Sequence, residues 1–268
     1  MSSPDAAGEP GMPPGARLAA LYRHPLKGLG SEALPRATLS PEGALAGDRA
    51  WALLTAAAPD TDAWQPRRNF LQVAAGPALA AIRAATREDG TLRLAHPDRP
   101  DLDLDPAADP HGAGTALAAW LAPLWPDSRP APAGLVRAPG HGMTDMPEPF
   151  VSIGNRASLR ALSQRAGRPL DERRFRINLW LDGLAPWEEF DLIGRTIRVG
   201  AVPLAGAERI GRCRAPEADP ETGRRDIDVC RVLEEGWGHT DFGIYARVAA
   251  QGAVALGESV ALGAPAQP

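Results

Sequence analysis

Hydrophobic and polar residues alternate with a period of two around residue 100. Residues 91–96 (Thr-Leu-Arg-Leu-Ala-His) and 101–105 (Asp-Leu-Asp-Leu-Asp) follow this pattern, which predicts β-strands. Short apolar runs between Gly and Pro predict further strands, at residues 18–22, 33–40, 48–55, 242–248 and 254–262. Apolar segments with capping or breaking residues predict short helices, at residues 115–125, 157–167 and 229–235. The predicted fold is therefore mainly β with a few helices (α+β), and many short strands favour barrels over open sheets.

The segment from Arg174 to Asp182 is predicted to be a strand with two different faces. Alternation directs one set of side chains towards a core: Phe175, Ile177, Leu179 and Leu181. The opposite set is Arg174, Arg176, Asn178 and Trp180. Two guanidiniums and an amide on one face form an array of donors that suits phosphate or another anion. The alternative is a solvated face whose arginines pair with Asp or Glu.

Composition divides the chain into two blocks. Residues 1–15 are rich in Pro, Gly and Ala without periodicity, and we expect a disordered tail there. A first domain is predicted over residues 16–125 and a second over residues 135–265. The Pro-rich stretch between them, residues 126–134, is predicted to be a linker.

Charge and cysteine content exclude several classes of protein. The 268 residues carry a net charge of −4, which gives no basic surface for nucleic acid or an anionic membrane. Two cysteines are too few for a disulfide scaffold or for a four-cysteine zinc or iron–sulfur site. The first residues lack the apolar segment of a signal peptide, and no uncharged apolar stretch of about 18 residues is present. We expect a cytoplasmic protein.

Lysine and asparagine are rare in this chain, and that rarity points to particular positions. Arginine supplies 28 of the 29 basic residues, and the single lysine is Lys27. Asparagine occurs at three positions, Asn69, Asn155 and Asn178. A composition biased towards Arg replaces Lys wherever surface charge alone is needed, so a retained Lys or Asn indicates a site that accepts only that shape. The alternative is that these residues were retained by chance.

Cys213 is the candidate reactive side chain. It lies between Arg212 and Arg214 in a loop rich in Pro and Gly, and adjacent cations favour the thiolate, which is the nucleophile and the metal ligand. The alternative is a small buried residue, as free cysteines commonly are. Cys230 lies among the apolar positions of a predicted helix and is interpreted as a core residue. A redox pair of the two cysteines stays open, although they lack a CxxC spacing.

Five segments resemble, in order and spacing, motifs of the MOSC family, which is named for the C-terminal part of molybdenum-cofactor sulfurases. They resemble the Lys-containing turn and the Gly-Asp-Arg-x-Trp pattern of the N-terminal β-barrel, the Phe-Arg-x-Asn strand, the Arg-Cys loop and the closing Phe-Gly-x-Tyr pattern. In this chain they read LYRHPLKGLG (21–30), GALAGDRAWALL (43–54), FRINLWLDG (175–183), GRCRAPEADPETG (211–223) and FGIYARVAAQGAVALGESVAL (242–262).

The resemblance covers about residues 16–263. It implies a MOSC N-terminal β-barrel domain followed by a MOSC β-barrel domain, and a molybdenum cofactor (Mo-molybdopterin) whose metal takes one protein thiolate. The residue that matches this ligand is Cys213. The residues that match cofactor contacts are Lys27, Arg49, Arg176, Asn178 and, with looser alignment, Asn155. The strand and loop interpretation adds Arg174 and Arg212 as cofactor-binding candidates.

Two-domain members of this family include the mitochondrial amidoxime-reducing components and their bacterial relatives, so the resemblance implies a reductase of N-hydroxylated compounds. The chain has no motif for flavin, haem or an iron–sulfur cluster, and we expect an external electron donor of the ferredoxin, flavin or cytochrome type. One alternative is a non-catalytic carrier of molybdenum cofactor or sulfur on Cys213, and another is an anion-binding module. The chain departs from the family at Ile210 (often Cys), Pro216 (usually Thr) and Glu258 (usually Asp).

Overall fold

A computed structural model describes residues 15–59, 61, 63–138 and 140–265. Within these ranges the α-helices are α1 (Pro110–Leu121), α2 (Arg156–Arg165) and α3 (Val229–Trp237). The strands are β1 (Arg17–Arg23), β2 (Glu32–Ala33), β3 (Arg36–Ser40), β4 (Ala44–Leu45), β5 (Trp51–Thr55), β6 (Arg83–Thr86), β7 (Leu92–His96), β8 (Arg99–Leu104), β9 (Pro132–Arg137), β10 (Phe150–Asn155), β11 (Leu179–Asp182), β12 (Arg195–Val199), β13 (Val202–Gly211), β14 (Asp241–Val248), β15 (Gly252–Ala255) and β16 (Val260–Pro265). Short 3-10 helices span Arg67–Asn69, Pro77–Ala81, Ala122–Leu124, Glu172–Phe175, Glu188–Leu192 and Ala215–Glu217.

The largest sheet curls into a barrel. Its eight strands follow the order β16-β12-β13-β14-β10-β11-β1-β2, with β10 and β11 parallel and the other neighbours antiparallel. The amide of Leu18 donates to the carbonyl of Glu258 (2.9 Å), and the amide of Val260 donates to the carbonyl of Ala16 (2.8 Å). These bonds join β1 to the start of β16 and close the sheet on itself. The mainly β fold is therefore confirmed.

The inside of the barrel is filled by alternate residues of its strands. Ile197 and Val199 of β12 and Leu179 and Leu181 of β11 belong to one buried cluster. All six residues of β10 are buried. Val151 and Ile153 belong to the barrel core, while Gly154 on the other face lies against the side chains of Ile177 and Trp180, and helix α2 packs near the end of the strand. A strand that is buried on both faces shows no alternation of apolar and polar residues, so that pattern does not reveal it.

The first half of the chain has a second core. The three-stranded sheet β6-β7-β8 packs on α1, and Leu92, Leu94 and Leu117 are buried between them. Strands β7 and β8 confirm the two segments predicted from strict alternation. Helix α1 begins before the predicted residue 115, because the carboxylate of Asp109 accepts a hydrogen bond from the amide of Gly112 (2.8 Å) and caps it.

Strand pairing crosses the division predicted from composition. Strand β1 pairs with β11 and β3 pairs with β15, so the first 40 residues contribute to sheets of the second half. Strand β9 pairs with β5, and residues 132–134, predicted to be linker, lie in that strand. The predicted tail, residues 1–15, lies outside the described residues except for Gly15. No helix in the described ranges is both long and apolar enough to span a bilayer.

The predicted strand from Arg174 to Asp182 is wrong in its first half. Residues 172–175 form a 3-10 helix, and Arg176 follows in the left-handed region (φ 52°), so the strand begins at Leu179. Trp180 is fully buried against Phe175 rather than on a polar face. The alternation of polar and apolar residues in this segment therefore spans a helical turn and a short strand, and it does not define two faces of one strand.

Candidate functional site

A cavity of about 160 Å³ lies between the two halves of the chain. Its walls come from the turn after β1, the loop after residue 69, the start of β10, residues 174–178 and the end of β13. The polar side chains that line it are Lys27, Arg49, Arg67, Gln72, Thr144, Asp145, Ser152, Arg174, Arg176, Asn178, Arg212, Cys213 and Tyr245. Seven of the eight predicted site residues are in this set, and the exception is Asn155.

Lys27 is a buried cation in the turn after β1. Only 5% of the residue is exposed, and its Nζ donates to Oδ1 of Asp145 (2.6 Å) and lies 5.5 Å from the ring centre of Phe70. Burial lowers the pKa of Lys27, while Asp145 opposes that shift. Burial acts to raise the pKa of Asp145, but the ammonium overcomes it and the net pKa is lowered. The turn needs Gly28 (φ 72°), where a Cβ would meet the carbonyl oxygen of Leu71 at 2.3 Å.

Arg49 is held in place by its neighbours. It adopts a left-handed conformation (φ 47°), its Nη1 is paired with the buried carboxylate of Asp48, and its Nη2 donates to the carbonyl of Arg176 (3.0 Å). Burial alone would raise the pKa of Asp48, but Arg49 brings it well below its usual range. The amide of His24 donates to Asp48 (2.8 Å), and burial together with Arg49 and Arg176 lowers the pKa of His24 to about 3. His24 is therefore neutral.

Arg176 is a cation without a counterion among the described residues. Its guanidinium donates to three backbone carbonyls, of Gly30 (3.0 Å), Leu29 (3.3 Å) and Leu26 (3.3 Å). These bonds fix its position but leave its charge unneutralised. Burial, and next the proximity of Arg49, lower the pKa of Arg176 to about 9. An anion in the cavity would stabilise this guanidinium.

Arg212, on another wall of the cavity, is a second arginine whose guanidinium donates to backbone carbonyls. Its Nε donates to the carbonyl of Phe242 (2.9 Å) and its Nη1 to that of Phe175 (2.8 Å). The guanidinium also lies 5.6 Å from the ring centre of Phe175. Burial lowers its pKa to about 10, and within the described part of the chain no carboxylate forms an ion pair with it. The cavity therefore has a second unneutralised cation.

Arg174 lines the cavity but is already neutralised. It is 4% exposed, and its two Nη atoms donate to Asp226 (2.8 Å each) and Asp219 (2.7 Å). The same guanidinium contacts the carbonyls of Pro216 (3.3 Å) and Glu217 (3.4 Å), in the loop that follows Cys213. This geometry gives Arg174 a structural role in that loop. Because its charge is already neutralised, Arg174 is not available as one of the anion-binding donors predicted from the sequence.

Asn178 is fully engaged at the back of the cavity. Its Oδ1 accepts from the amide (3.2 Å) and the hydroxyl (2.8 Å) of Ser152, and its Nδ2 donates to the carbonyl of Tyr22 (3.1 Å). The contact between its Oδ1 and Nη1 of Arg49 is long, at 3.5 Å. Asn178 therefore joins β1 and β10 beneath Arg49.

Asn155 lies away from the cavity. Its Oδ1 accepts from the amide of Ala157 (2.9 Å) and caps α2. Its Nδ2 donates to the carbonyl of Ala185 (2.7 Å) and to the buried carboxyl of Glu189 (2.9 Å). Burial raises the pKa of Glu189. The structure thus gives Asn155 a capping role, because its side chain, fully buried, is used within the fold.

Cys213 faces the cavity from the loop after β13. It is half-buried and forms no disulfide with Cys230. Arg214 is exposed and paired with Glu217 (3.1 Å), so of the two flanking cations only Arg212 lines the cavity. Among the described residues no group of three or more His, Cys, Asp or Glu is placed to hold a metal ion. A metal at Cys213 therefore needs ligands that come with it.

Cys230 is not the core residue that its sequence context indicates. It lies half-buried in the first turn of α3, where its Sγ donates to the carbonyls of Arg212 (3.3 Å) and Cys213 (3.4 Å). The buried apolar positions of α3 are instead Val229 and Leu233. Burial raises the pKa of the Cys230 thiol. The two cysteines of the chain therefore meet at one loop.

Sequence reasoning gave no role at this cavity to Asp145, Arg67 or Tyr245. Tyr245 stacks on Phe150 with ring centres 5.4 Å apart, and burial raises its pKa, so its hydroxyl stays protonated. Asp145 and Arg67 belong to none of the quoted motifs, whereas Tyr245 is the tyrosine of the closing Phe-Gly-x-Tyr pattern, which served only to indicate the family. The rarity argument could have selected Tyr245, since tyrosine occurs only twice in the chain.

Two family models match the chain in succession. Residues 15–122 match the model of the MOSC N-terminal beta barrel domain, and residues 141–261 match the model of the MOSC domain. Among solved structures, the YuaD protein (APC1665) from Bacillus subtilis is 13% identical over 96% of this chain and 99% of that one, with a TM-score of 0.47. YiiM from Geobacillus stearothermophilus is 18% identical over 42% of this chain and 53% of its own, with a TM-score of 0.32. No curated protein sequence matches.

Proposed function

The chain belongs to the MOSC-domain family, and from that premise we propose that it is a molybdenum-cofactor-dependent reductase of N-hydroxylated compounds. MOSC domains are associated with binding of this cofactor. The observation that carries the proposal is the combination, in one cavity, of the Cys213 thiol with two guanidiniums, those of Arg176 and Arg212, that have no counterion among the described residues.

The donor set fits the chemistry of the cofactor. Its phosphate is an anion, and Lys27, Arg49 and Arg176 would hold it with a point charge and two forked donors. Its dithiolene supplies two soft sulfur ligands, and Cys213 would add a third. The lack of a preformed ligand cluster among the described residues agrees with a metal that arrives inside its cofactor.

The proposed reaction converts an N–OH group, two electrons and two protons into N–H and water. When bound, the cofactor supplies a two-electron redox centre for this oxygen-atom transfer. The phenol of Tyr245 stays protonated in the cavity wall and would donate a hydrogen bond to substrate. Ile210, Pro216 and Phe150 supply apolar walls that limit access of water. The electrons would come from a separate ferredoxin-, flavin- or cytochrome-type protein.

A reduction assay tests the proposal. The protein is produced in a host that synthesises molybdenum cofactor, and an amidoxime such as benzamidoxime is supplied with a reduced viologen dye as electron donor. We expect formation of the amidine by the wild type and its loss in Cys213→Ser, because a hydroxyl does not replace the soft ligand. Loaded protein that reduces no N-hydroxylated substrate would contradict the reductase and favour a non-catalytic carrier.

A further inference from the structure

The two cysteines of the chain, 17 residues apart in sequence, converge on one loop. Cys230 lies on α3, behind the loop, and its Sγ contacts the carbonyl oxygens of Arg212 (3.3 Å) and Cys213 (3.4 Å). Cys213, in the same loop, lines the cavity. We propose that Cys213 is an oxidation site and that Cys230 is its resolving partner, so that peroxide converts the pair into an intramolecular disulfide.

The separation of the two residues suits such a bond. A contact of 3.4 Å to the carbonyl oxygen places the Cys230 sulfur within about 6 Å of the Cα of Cys213 by standard backbone dimensions. A disulfide needs its two sulfur atoms about 2.0 Å apart. Forming it therefore requires the loop at Cys213 to move locally, so that the Cys213 side chain turns from the cavity towards α3.

The reaction balances with peroxide as the oxidant. The sulfur of Cys213 lines the cavity and is the one that a small solute reaches there. Peroxide oxidises Cys213 to a sulfenic acid and releases water. The sulfur of Cys230 then attacks that of Cys213, the hydroxyl leaves, and the proton of the Cys230 thiol joins it as a second water. Two molecules of a small thiol of the glutathione class restore both cysteines and are themselves oxidised to a disulfide.

The disulfide would have two consequences for the site. It withdraws the sulfur that, among the described residues, lines the cavity, so Cys213 no longer offers a thiolate ligand there. It also competes with further oxidation of Cys213 to the sulfinic acid, which thiols do not reverse. The inference goes beyond the proposed reductase and concerns the cofactor-free chain, so either can fail without the other.

Mass spectrometry of the cofactor-free full chain tests the inference. The protein is treated with a few equivalents of hydrogen peroxide, alkylated, and analysed intact and by peptide mapping without reductant. We expect the wild type to lose about 2 Da, to take up no alkylating agent, and to yield a peptide that links Cys213 to Cys230. Dithiothreitol should restore two alkylatable thiols.

Two variants complete the test. In Cys230→Ser we expect a gain of about 32 Da at Cys213, because the sulfenic acid has no partner and is oxidised further. In Cys213→Ser we expect Cys230 to stay alkylatable at the same peroxide concentration. The inference is overturned if the wild type accumulates the sulfinic acid as fast as Cys230→Ser, if it forms only disulfides between two chains, or if both thiols stay alkylatable.

Discussion

The unneutralised charge of Arg176 predicts that the cofactor-free protein binds phosphate. A pKa lowered from 12.5 to about 9 corresponds to roughly 5 kcal/mol of unfavourable free energy for the folded, charged guanidinium. Because the folded pKa lies below the unfolded one, this cost is present below about pH 9 and disappears as the pH rises above it. If bound phosphate recovers half of that cost, Arg176 strengthens binding by about 60-fold.

Calorimetric titration and thermal unfolding near neutral pH measure this effect. Phosphate at about 100 times its dissociation constant should stabilise the wild type by about 2.7 kcal/mol, or roughly 5–10 °C in Tm for a chain of this size. Arg176→Gln should weaken phosphate binding by tenfold to a hundredfold, and Arg176→Lys should retain most of it. Arg160→Gln is the matched control, since Arg160 is an exposed arginine of α2 outside the cavity.

Two results would refute this reasoning. One is a Tm for the wild type that is the same in phosphate and in sodium chloride of equal ionic strength. The other is an Arg176→Gln variant that binds phosphate as tightly as Arg160→Gln does. Either result would mean that the backbone carbonyls around Arg176 already satisfy its charge.

Three further predictions concern the surroundings of the cavity. Asp145→Asn should bind phosphate several-fold more tightly in the same titration, because its carboxylate no longer competes for Lys27; weaker binding would contradict this. Asn155→Ala should lower the free energy of unfolding by about 2–3 kcal/mol in urea titrations through lost capping and amide bonds, with unchanged phosphate affinity. His24 is neutral in the folded chain but takes up a proton in the unfolded chain below its ordinary pKa. The free energy of unfolding of the wild type should therefore fall by roughly 2 kcal/mol from this residue between pH 7 and pH 5. His24→Asn should remove that part of the slope, and an unchanged slope would contradict the assignment.

Local patterns predicted the elements whose neighbours are close in sequence. Strands β7 and β8 show strict alternation because one face packs on α1 and the other meets solvent. Helix α2 was predicted from Asn155, whose capping bond spans only two residues. The rarity of asparagine did identify a position that needs this side chain, although the need is structural.

Long-range contacts decided the rest of the site. Arg174 and Arg176 are the same residue type two positions apart, yet Arg174 pairs with Asp219 and Asp226, while the hydrogen bonds of the Arg176 guanidinium within the described part of the chain go to backbone carbonyls. These partners lie more than 40 residues away, so no local pattern separates a neutralised arginine from a free one. Asp145 meets Lys27 across 118 residues, and sequence reasoning had no means of pairing them.

The central claim is that this cavity holds molybdenum through Cys213. The most direct test is the molybdenum content, by inductively coupled plasma mass spectrometry, of protein purified from a host that synthesises the cofactor. The wild type and the matched control Cys230→Ala should each carry close to one molybdenum per chain, and Cys213→Ala should carry almost none. Molybdenum retained in Cys213→Ala, or absent from the wild type while a control molybdoenzyme from the same host is loaded, would contradict the claim.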